Sequence, residues 1–168
     1  LFRRIIMSEK IAVYPGSYDP ITNGHVDIIK RGLKIFDKII VAALENPSKC
    51  YLFSLEERLN ILKECFKDQP AIEIDFFGGL LVEYLKLKKV GTVVRGLRAI
   101  SDFEIEFQMA LMNRSIEPEF ETIFLVPSIK YSFVSSRLVK EVYKLGGEVT
   151  AMVPPLVDQK LKEKYAKK

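Results

Sequence analysis

Two hydrophobic patterns alternate along the chain. Short runs that are apolar at nearly every position are typical of strands buried on both faces. They occupy residues 11–14, 38–44, 72–76, 92–95 and 122–126. Between them, apolar residues recur every three or four positions, which places them on one face of a helix. These segments predict helices at residues 24–36, 54–66, 80–87, 103–115 and 136–145, and a last helix after Pro154-Pro155.

The helix at residues 24–36 shows the second pattern clearly, because Val26, Ile29, Leu33 and Phe36 fall on one face. Side-chain oxygens that precede such segments predict where helices begin, since they can accept hydrogen bonds from free backbone N–H groups. Thr22 is the predicted cap of the helix at residues 24–36, and Ser101 or Asp102 that of the helix at residues 103–115. Ser54, with Glu57 three residues later, forms a capping box at the start of the helix at residues 54–66.

Buried strands that alternate with helices indicate a parallel sheet covered on both faces. No repeat, low-complexity segment or linker rich in Pro, Gly or Ser divides the chain. The sequence therefore predicts an α/β fold, a single-domain doubly wound parallel sheet of Rossmann-like type. We expect one domain over residues 7–168, with Met7 as the natural start and residues 1–6 as an upstream remnant.

Composition narrows the class of protein. With 48% hydrophobic and 29% charged residues, the chain fits a soluble enzyme better than a disordered or membrane protein. No apolar run approaches the roughly 20 residues of a membrane span. Cys50 and Cys65 form no metal-ligand pattern, so reduced thiols and a cytoplasmic location are expected. The net charge of +4 suits polyanionic substrates, and the C-terminal lysines predict a solvated helix end rather than a nucleic-acid surface.

Ligands of doubly wound sheets bind beyond the carboxyl ends of the strands. Glycines, hydroxyls and cations gather at these ends in this sequence, as a polyphosphate site requires. The segments concerned are residues 14–25, 46–49, 95–98 and 127–137.

The first of these segments is the most informative. Gly16 permits close backbone approach, and Ser17 offers an N–H and a hydroxyl to a phosphate oxygen. Thr22 places Gly24 and His25 in the first turn of a helix, where free N–H groups attract anions. His25 could therefore reach a bound phosphate, or it could make only local hydrogen bonds, and the sequence leaves its protonation state open.

Two motifs resemble the signatures of the nucleotidylyltransferase superfamily. Thr22-Asn23-Gly24-His25 is similar to T/H-x-G-H, and residues 134–140 are similar to I-S-S-x-x-x-[RK]. Further matches resemble the phosphopantetheine adenylyltransferase family: residues 14–25, 47–49, 95–98 with 102–104, and 112–114. The resemblance runs in order from about residue 10 to residue 154.

The resemblance implies transfer of AMP from ATP to the phosphate of 4′-phosphopantetheine, giving dephospho-CoA and pyrophosphate by direct in-line attack. It also implies Mg²⁺ that is bound mainly through the ATP phosphates, with no metal site on the protein. It implies that His25 is the catalytic residue, stabilising charge on the α-phosphate. The residues implied for ATP are Ser17, Tyr18, His25, Gly96, Leu97, Arg98, Glu106, Tyr131, Ser132, Phe133, Val134, Ser135, Ser136 and Arg137. Those implied for phosphopantetheine are Ser17, Lys49, Leu81 and Arg95, with Leu80 nearby.

Each implied role has a plainer alternative: surface cations for Arg95, Arg98 and Lys49, a solvated helix position for Glu106 and core packing for Leu81. Asp19 and Asp102 are expected to be structural. The sequence departs from the common family pattern at three positions, with serine at Ser17 where threonine is frequent, Tyr131 in place of tryptophan, and Arg137 in place of a small polar residue.

The family usually forms hexamers, so a homo-oligomer is expected by resemblance only, with neither nucleic acid nor membrane as partner. One competing function is nucleotidyl transfer to another acceptor, such as nicotinamide mononucleotide or a sugar or glycerol phosphate. The other is a non-enzymatic basic module that binds nucleic acid.

Overall fold

The computed structural model describes residues 9–98 and 100–166, and at residues 100–102 only the backbone. The predicted start at Met7 and the remnant at residues 1–6 lie outside the described residues. The strands are β1 (Ile11–Gly16), β2 (Lys38–Glu45), β3 (Ile72–Gly78), β4 (Thr92–Gly96) and β5 (Glu121–Leu125). The helices are α1 (Asn23–Gly32), α2 (Leu55–Cys65), α3 (Leu81–Lys88), α4 (Ile100–Ile116), α5 (Ser136–Lys144) and α6 (Pro155–Ala166), and a 3₁₀ turn covers Ile129–Tyr131.

The five strands form one sheet in the order β3-β2-β1-β4-β5, and every neighbouring pair is parallel. The chain builds outward from β1 to β3 on one side and then returns to add β4 on the other. A crevice opens where the strand order reverses, beyond the carboxyl ends of β1 and β4. This topology confirms the predicted doubly wound sheet and places segments 14–25 and 95–98 side by side.

Apolar side chains cover both faces of the sheet. On one face, Ile29 of α1, Leu62 of α2 and Leu161 of α6 are fully buried in one cluster. On the other face, Tyr84 and Leu85 of α3 pack with strand residues in a second cluster. Since both faces are covered, the strands can be apolar at nearly every position, which is why they stand out in the sequence.

The predicted caps of α1 and α2 are confirmed. Thr22 caps α1 and Ser54 caps α2, each in a capping box closed by the side chain three residues later. The first helix, however, ends at Gly32 and not at Phe36. The chain turns there to enter β2, and the Asp37 N–H donates to the Lys10 carbonyl over 2.9 Å. Phe36 is buried as predicted, but from the turn rather than from the helix.

Helix α4 also differs from the prediction, because it begins at Ile100, before residue 103. Ser101 and Asp102 therefore lie inside its first turn and not at its N-cap, so the predicted caps are wrong. Their side chains lie outside the described residues. Within the described part of the chain, no helix is long and apolar enough to cross a membrane.

Candidate active site

Two cavities meet at the carboxyl ends of β1 and β4. The first, which we call the signature cavity, has a volume of about 290 Å³ and lies between the two signature segments, with His25 on one side and Ser135 and Ser136 on the other. The second, the apolar cavity, has a volume of about 320 Å³. They share a common wall, so ligands in the two cavities would meet there. The wall consists of Pro15, Gly16, Ser17, Arg95 and Glu106.

His25 is fixed by the cap of its own helix. The Thr22 backbone N–H donates to Nδ1 of His25 over 3.0 Å, and the His25 N–H donates to the Thr22 hydroxyl over 3.4 Å. Because Nδ1 accepts this hydrogen bond, the proton of a neutral ring lies on Nε2. The local hydrogen bonds expected under the plainer alternative for His25 are therefore present, and they fix the ring with Nε2–H as its remaining donor.

The environment keeps His25 neutral. Burial, with the neighbouring charges of Arg98 and Arg95, lowers the pKa of His25 to about 4. In the free protein this lowered pKa favours an uncharged ring at neutral pH, with Nε2–H as a hydrogen-bond donor.

Aromatic rings form the base of the signature cavity. The ring centroids of Tyr18 and His25 lie 5.2 Å apart, and Tyr18 donates its hydroxyl proton to the Tyr14 carbonyl over 2.6 Å. A Cβ at Gly16 would lie 3.0 Å from the Tyr18 ring, so a larger residue fits there only if that ring shifts. Tyr18 is 2% exposed. A residue this deeply buried offers little surface for the predicted contact of Tyr18 with ATP.

Arg95 and Glu106 form a two-pronged ion pair in the shared wall. Arg95 also donates to the Pro15 carbonyl over 2.7 Å, which ties β4 to the loop after β1. The plainer alternatives for both residues, a surface cation and a solvated helix position, do not hold. The sequence did not predict this ion pair, because the resemblance assigned Arg95 to phosphopantetheine and Glu106 to ATP.

Lys49 and Ser17 come together as the resemblance implied. The Lys49 ammonium donates to the Ser17 hydroxyl over 3.4 Å from an exposed loop. Leu81 and Leu80 line the apolar cavity beside Phe77 and Met109. The residues implied for phosphopantetheine therefore lie along one continuous path that ends at the shared wall.

The second signature begins α5. Ser135 caps this helix by accepting from the Leu138 N–H over 3.0 Å, whereas the Ser136 hydroxyl donates to the Pro20 carbonyl over 2.7 Å. The hydroxyl of Ser136 is thus used within the protein. Arg137 has an 86% exposed side chain that pairs with Glu141 over 2.9 Å. It lines the mouth of the signature cavity.

The structure brings most of the residues implied for ATP around the signature cavity: Ser17, Tyr18, His25, Gly96, Arg98, Glu106, Val134, Ser135, Ser136 and Arg137. Four others do not line it, namely Leu97, Tyr131, Ser132 and Phe133. Leu97 donates its N–H to the Leu125 carbonyl over 2.9 Å, which continues the pairing of β4 and β5. The other three lie in the segment that precedes α5.

Asp19 is a structural residue in this site, as expected. It is 3% exposed and accepts the N–H groups of Leu52 and Phe53 over 3.0 and 2.9 Å. Lys140, the last residue of the second signature, pairs with it over 2.6 Å. One buried carboxylate thereby joins the first loop, the segment before α2 and helix α5.

Arg58 was missed by sequence reasoning. It is 1% exposed and donates to the Ser17 and Leu44 carbonyls over 2.7 and 3.0 Å. A signal was present, because Arg58 stands three and four residues before Ile61 and Leu62, on the apolar face of α2. Charged residues on such a face usually extend to solvent, so the position did not stand out.

Comparisons with known proteins show the family to which the chain belongs. A family model described as cytidylyltransferase-like matches residues 13–142. A phosphopantetheine adenylyltransferase from Dictyoglomus turgidum is 58% identical over 154 residues, which cover 92% of this chain and 96% of the relative. One from Carboxydothermus hydrogenoformans is 57% identical over 158 residues, covering 94% and 98%.

A solved structure from Vibrio parahaemolyticus, described provisionally as a nicotinate-nucleotide adenylyltransferase, has the same fold. It superposes with a TM-score of 0.65 over 92% of this chain and 91% of that one, at 16% identity. At that identity the likeness supports the Rossmann-like fold alone. The sequence relatives and the two signatures go further: the chain belongs to the phosphopantetheine adenylyltransferase family of nucleotidyltransferases.

Proposed function

We propose that this protein transfers AMP from ATP to the phosphate of 4′-phosphopantetheine, a step of coenzyme A synthesis. The observation that carries the proposal is the shared wall between the two cavities. An oxygen of the acceptor phosphate forms a bond to the α-phosphorus, the bond from that phosphorus to the bridging oxygen of the β-phosphate breaks, and pyrophosphate leaves. Such chemistry needs mainly positioning and charge stabilisation.

The signature cavity suits the nucleotide. Gly24 of α1 and Ser136 and Arg137 of α5, all in the first turns of their helices, line it, and a helix start attracts phosphate oxygens. Nε2–H of His25 donates to the α-phosphate, where negative charge develops in the transition state. In the free protein the pKa of His25 is lowered to about 4, so the ring is uncharged at neutral pH and still carries the Nε2–H that would donate.

The apolar cavity suits the pantetheine arm. Leu81, Phe77 and Met109 offer apolar surface along its length, and Asn113 offers an amide to the polar groups of the arm. Ser17, Lys49 and Arg95 also line this cavity and would hold the acceptor phosphate. The acceptor would then reach the α-phosphate from across the shared wall.

Mg²⁺ would bind mainly through the ATP phosphates. Among residues 9–98 and 100–166, no group of three or more His, Cys, Asp or Glu side chains could hold a metal ion. The carboxylates nearest the site are engaged, Glu106 by Arg95 and Asp19 by Lys140. When bound, the ion neutralises charge on the β- and γ-phosphates.

We also propose a homo-oligomer, and a hexamer by family resemblance. Helix α4 supports this, because its large apolar side chains remain exposed in the single chain. They are Phe103, Ile105, Phe107, Met109, Leu111, Met112 and Ile116. Exposed apolar surface of this kind marks a protein contact. A cytoplasmic location and the absence of nucleic-acid partners remain proposals that rest on the family and on the free thiols Cys50 and Cys65.

The test is pyrophosphate release from ATP and Mg²⁺, with 4′-phosphopantetheine, nicotinamide mononucleotide and glycerol phosphate supplied separately. Release only with phosphopantetheine is expected. Release with another acceptor would support transfer of AMP but would overturn the assignment of 4′-phosphopantetheine as the acceptor. Folded protein that is inactive with all three acceptors would favour the basic binding module, whose affinity for nucleic acid should fall steeply with salt.

A further inference from the structure

Arg58 is a buried cation that the proposed chemistry does not use. It is the largest of the fully buried side chains, at 1% exposed, and lies on α2, outside both signature segments. Its guanidinium donates through one nitrogen to the Ser17 and Leu44 carbonyls. Arg58 therefore joins the loop after β1 to the end of β2 at the residue that carries the shared hydroxyl of the site.

The same side chain supports the loop of Lys49. The Arg58 guanidinium carbon lies 4.1 Å from the centre of the Tyr51 ring. The Tyr51 hydroxyl accepts from the Asn46 N–H over 3.1 Å, and the Asn46 carbonyl accepts from the Lys49 N–H over 3.0 Å. A chain of contacts thus runs from Arg58 to the backbone of Lys49, whose ammonium meets the Ser17 hydroxyl.

The charge of Arg58 is not neutralised by a carboxylate in the described part of the chain. The ion pairs there do not include Arg58, and its Nε has no hydrogen-bond partner. Burying a cation without an opposite charge costs free energy, so a neutral donor would hold two carbonyls at lower cost. An anion bound nearby would offset this cost, since Coulomb attraction is strong where water is excluded.

We propose that Arg58 is a positioning residue for the acceptor phosphate. It fixes Ser17 and Lys49 relative to each other, and its buried charge is compensated when the phosphate of 4′-phosphopantetheine binds at these two residues. The inference rests on the proposed function and adds to it a residue that need not touch either substrate.

The experiment compares Arg58→Met, Lys49→Met and the double variant by steady-state kinetics, well below the thermal transition. We expect Arg58→Met to raise the KM for phosphopantetheine by about 10-fold or more, the scale of one charged hydrogen bond, and to change the KM for ATP much less. In the double variant, Arg58→Met would already have misplaced Lys49. The factor by which Lys49→Met raises the KM for phosphopantetheine should therefore be about 5-fold smaller there than in the wild-type background.

Matched variants separate this role from stability. Lys63→Met removes an exposed cation of the same helix, α2, and should leave both KM values unchanged. Arg58→Lys keeps the charge and should recover part of the phosphopantetheine KM. If Arg58→Met does not fold, the cycle of Arg58→Lys with Lys49→Met replaces it, and additive effects there would overturn the proposal.

Arg58→Met with a lower melting temperature but normal KM values would mean that the residue is only structural. This outcome can be interpreted only when the wild-type protein is active with phosphopantetheine. Wild-type protein that releases no pyrophosphate with phosphopantetheine would instead overturn the proposed function, and this assignment with it.

Discussion

The two signature segments face each other across one cavity but are built differently. In residues 14–25, Tyr14, Tyr18 and Thr22 are at most 6% exposed, and the cap of α1 fixes His25. In residues 129–137, Ile129 is 90% and Phe133 58% exposed. Contacts within the protein thus hold the first segment, whereas the second presents exposed apolar side chains. Under the proposed function, the first segment would stabilise the transition state and the second would close over the nucleotide.

The largest effect should come from His25→Ala, which removes the fixed donor of the first segment. Turnover should fall by at least ~10²-fold, the usual scale for one transition-state donor, while the affinity for ATP changes less. The measurement is pyrophosphate release together with the Kd of ATP.

His25→Gln is the matched control. Glutamine can close the capping box but offers no imidazole, so it should restore the melting temperature without restoring turnover. Near-normal turnover in either folded variant would remove His25 from its assigned role and weaken the comparison.

Arg95 supports the first segment from β4, through its bond to the Pro15 carbonyl. Arg95→Ala should raise the Kd of phosphopantetheine by about 10- to 100-fold, as expected for lost hydrogen bonds to a charged group, and that of ATP by less. Titration calorimetry with each substrate measures both values. Because Arg95→Ala leaves the Glu106 carboxylate without its ion-pair partner, the control is the double variant that combines Arg95→Met with Glu106→Gln. A larger loss for ATP would assign Arg95 to the other substrate.

The pH dependence of stability tests how firmly the first segment holds His25. Its pKa is lowered to about 4 in the folded protein, against about 6.5 in an unfolded chain. Between these values only the unfolded chain binds this proton, so stability falls as the pH drops from about 6.5 towards about 4. From about pH 7 to about pH 5, the wild-type protein should lose about 2 kcal/mol more than His25→Gln. Urea unfolding at both pH values measures the difference, and equal losses would mean that His25 is not held neutral.

The smallest effect is expected in the second segment. Phe133→Ala should change the free energy of unfolding by no more than about 0.5 kcal/mol, because the ring is exposed. Hydrogen exchange gives the sharper test: a non-hydrolysable ATP analogue should slow exchange in residues 129–137 more than in residues 14–25. Equal protection would mean that both segments are complete beforehand.

Local patterns were enough for much of the fold. The strands appeared as apolar runs because both faces of the sheet are covered. Thr22 and Ser54 predicted helix starts because a cap depends on residues only three positions apart. The end of α1 and the start of α4 were misplaced, because the turn into β2 depends on contact between Asp37 and the distant Lys10, and the apolar pattern of α4 does not mark its first turn.

The sequence by itself determined the doubly wound sheet, the family and most residues of the signature cavity, because periodicity and motif spacing are local properties of the chain. The tertiary structure alone decided which groups meet. It paired Arg95 with Glu106, joined Asp19 to Lys140 and buried Arg58 against Ser17. These partners lie between 11 and 121 positions apart, so no local pattern specifies them. They form only when packing brings the ends of neighbouring strands and helices to one edge of the sheet.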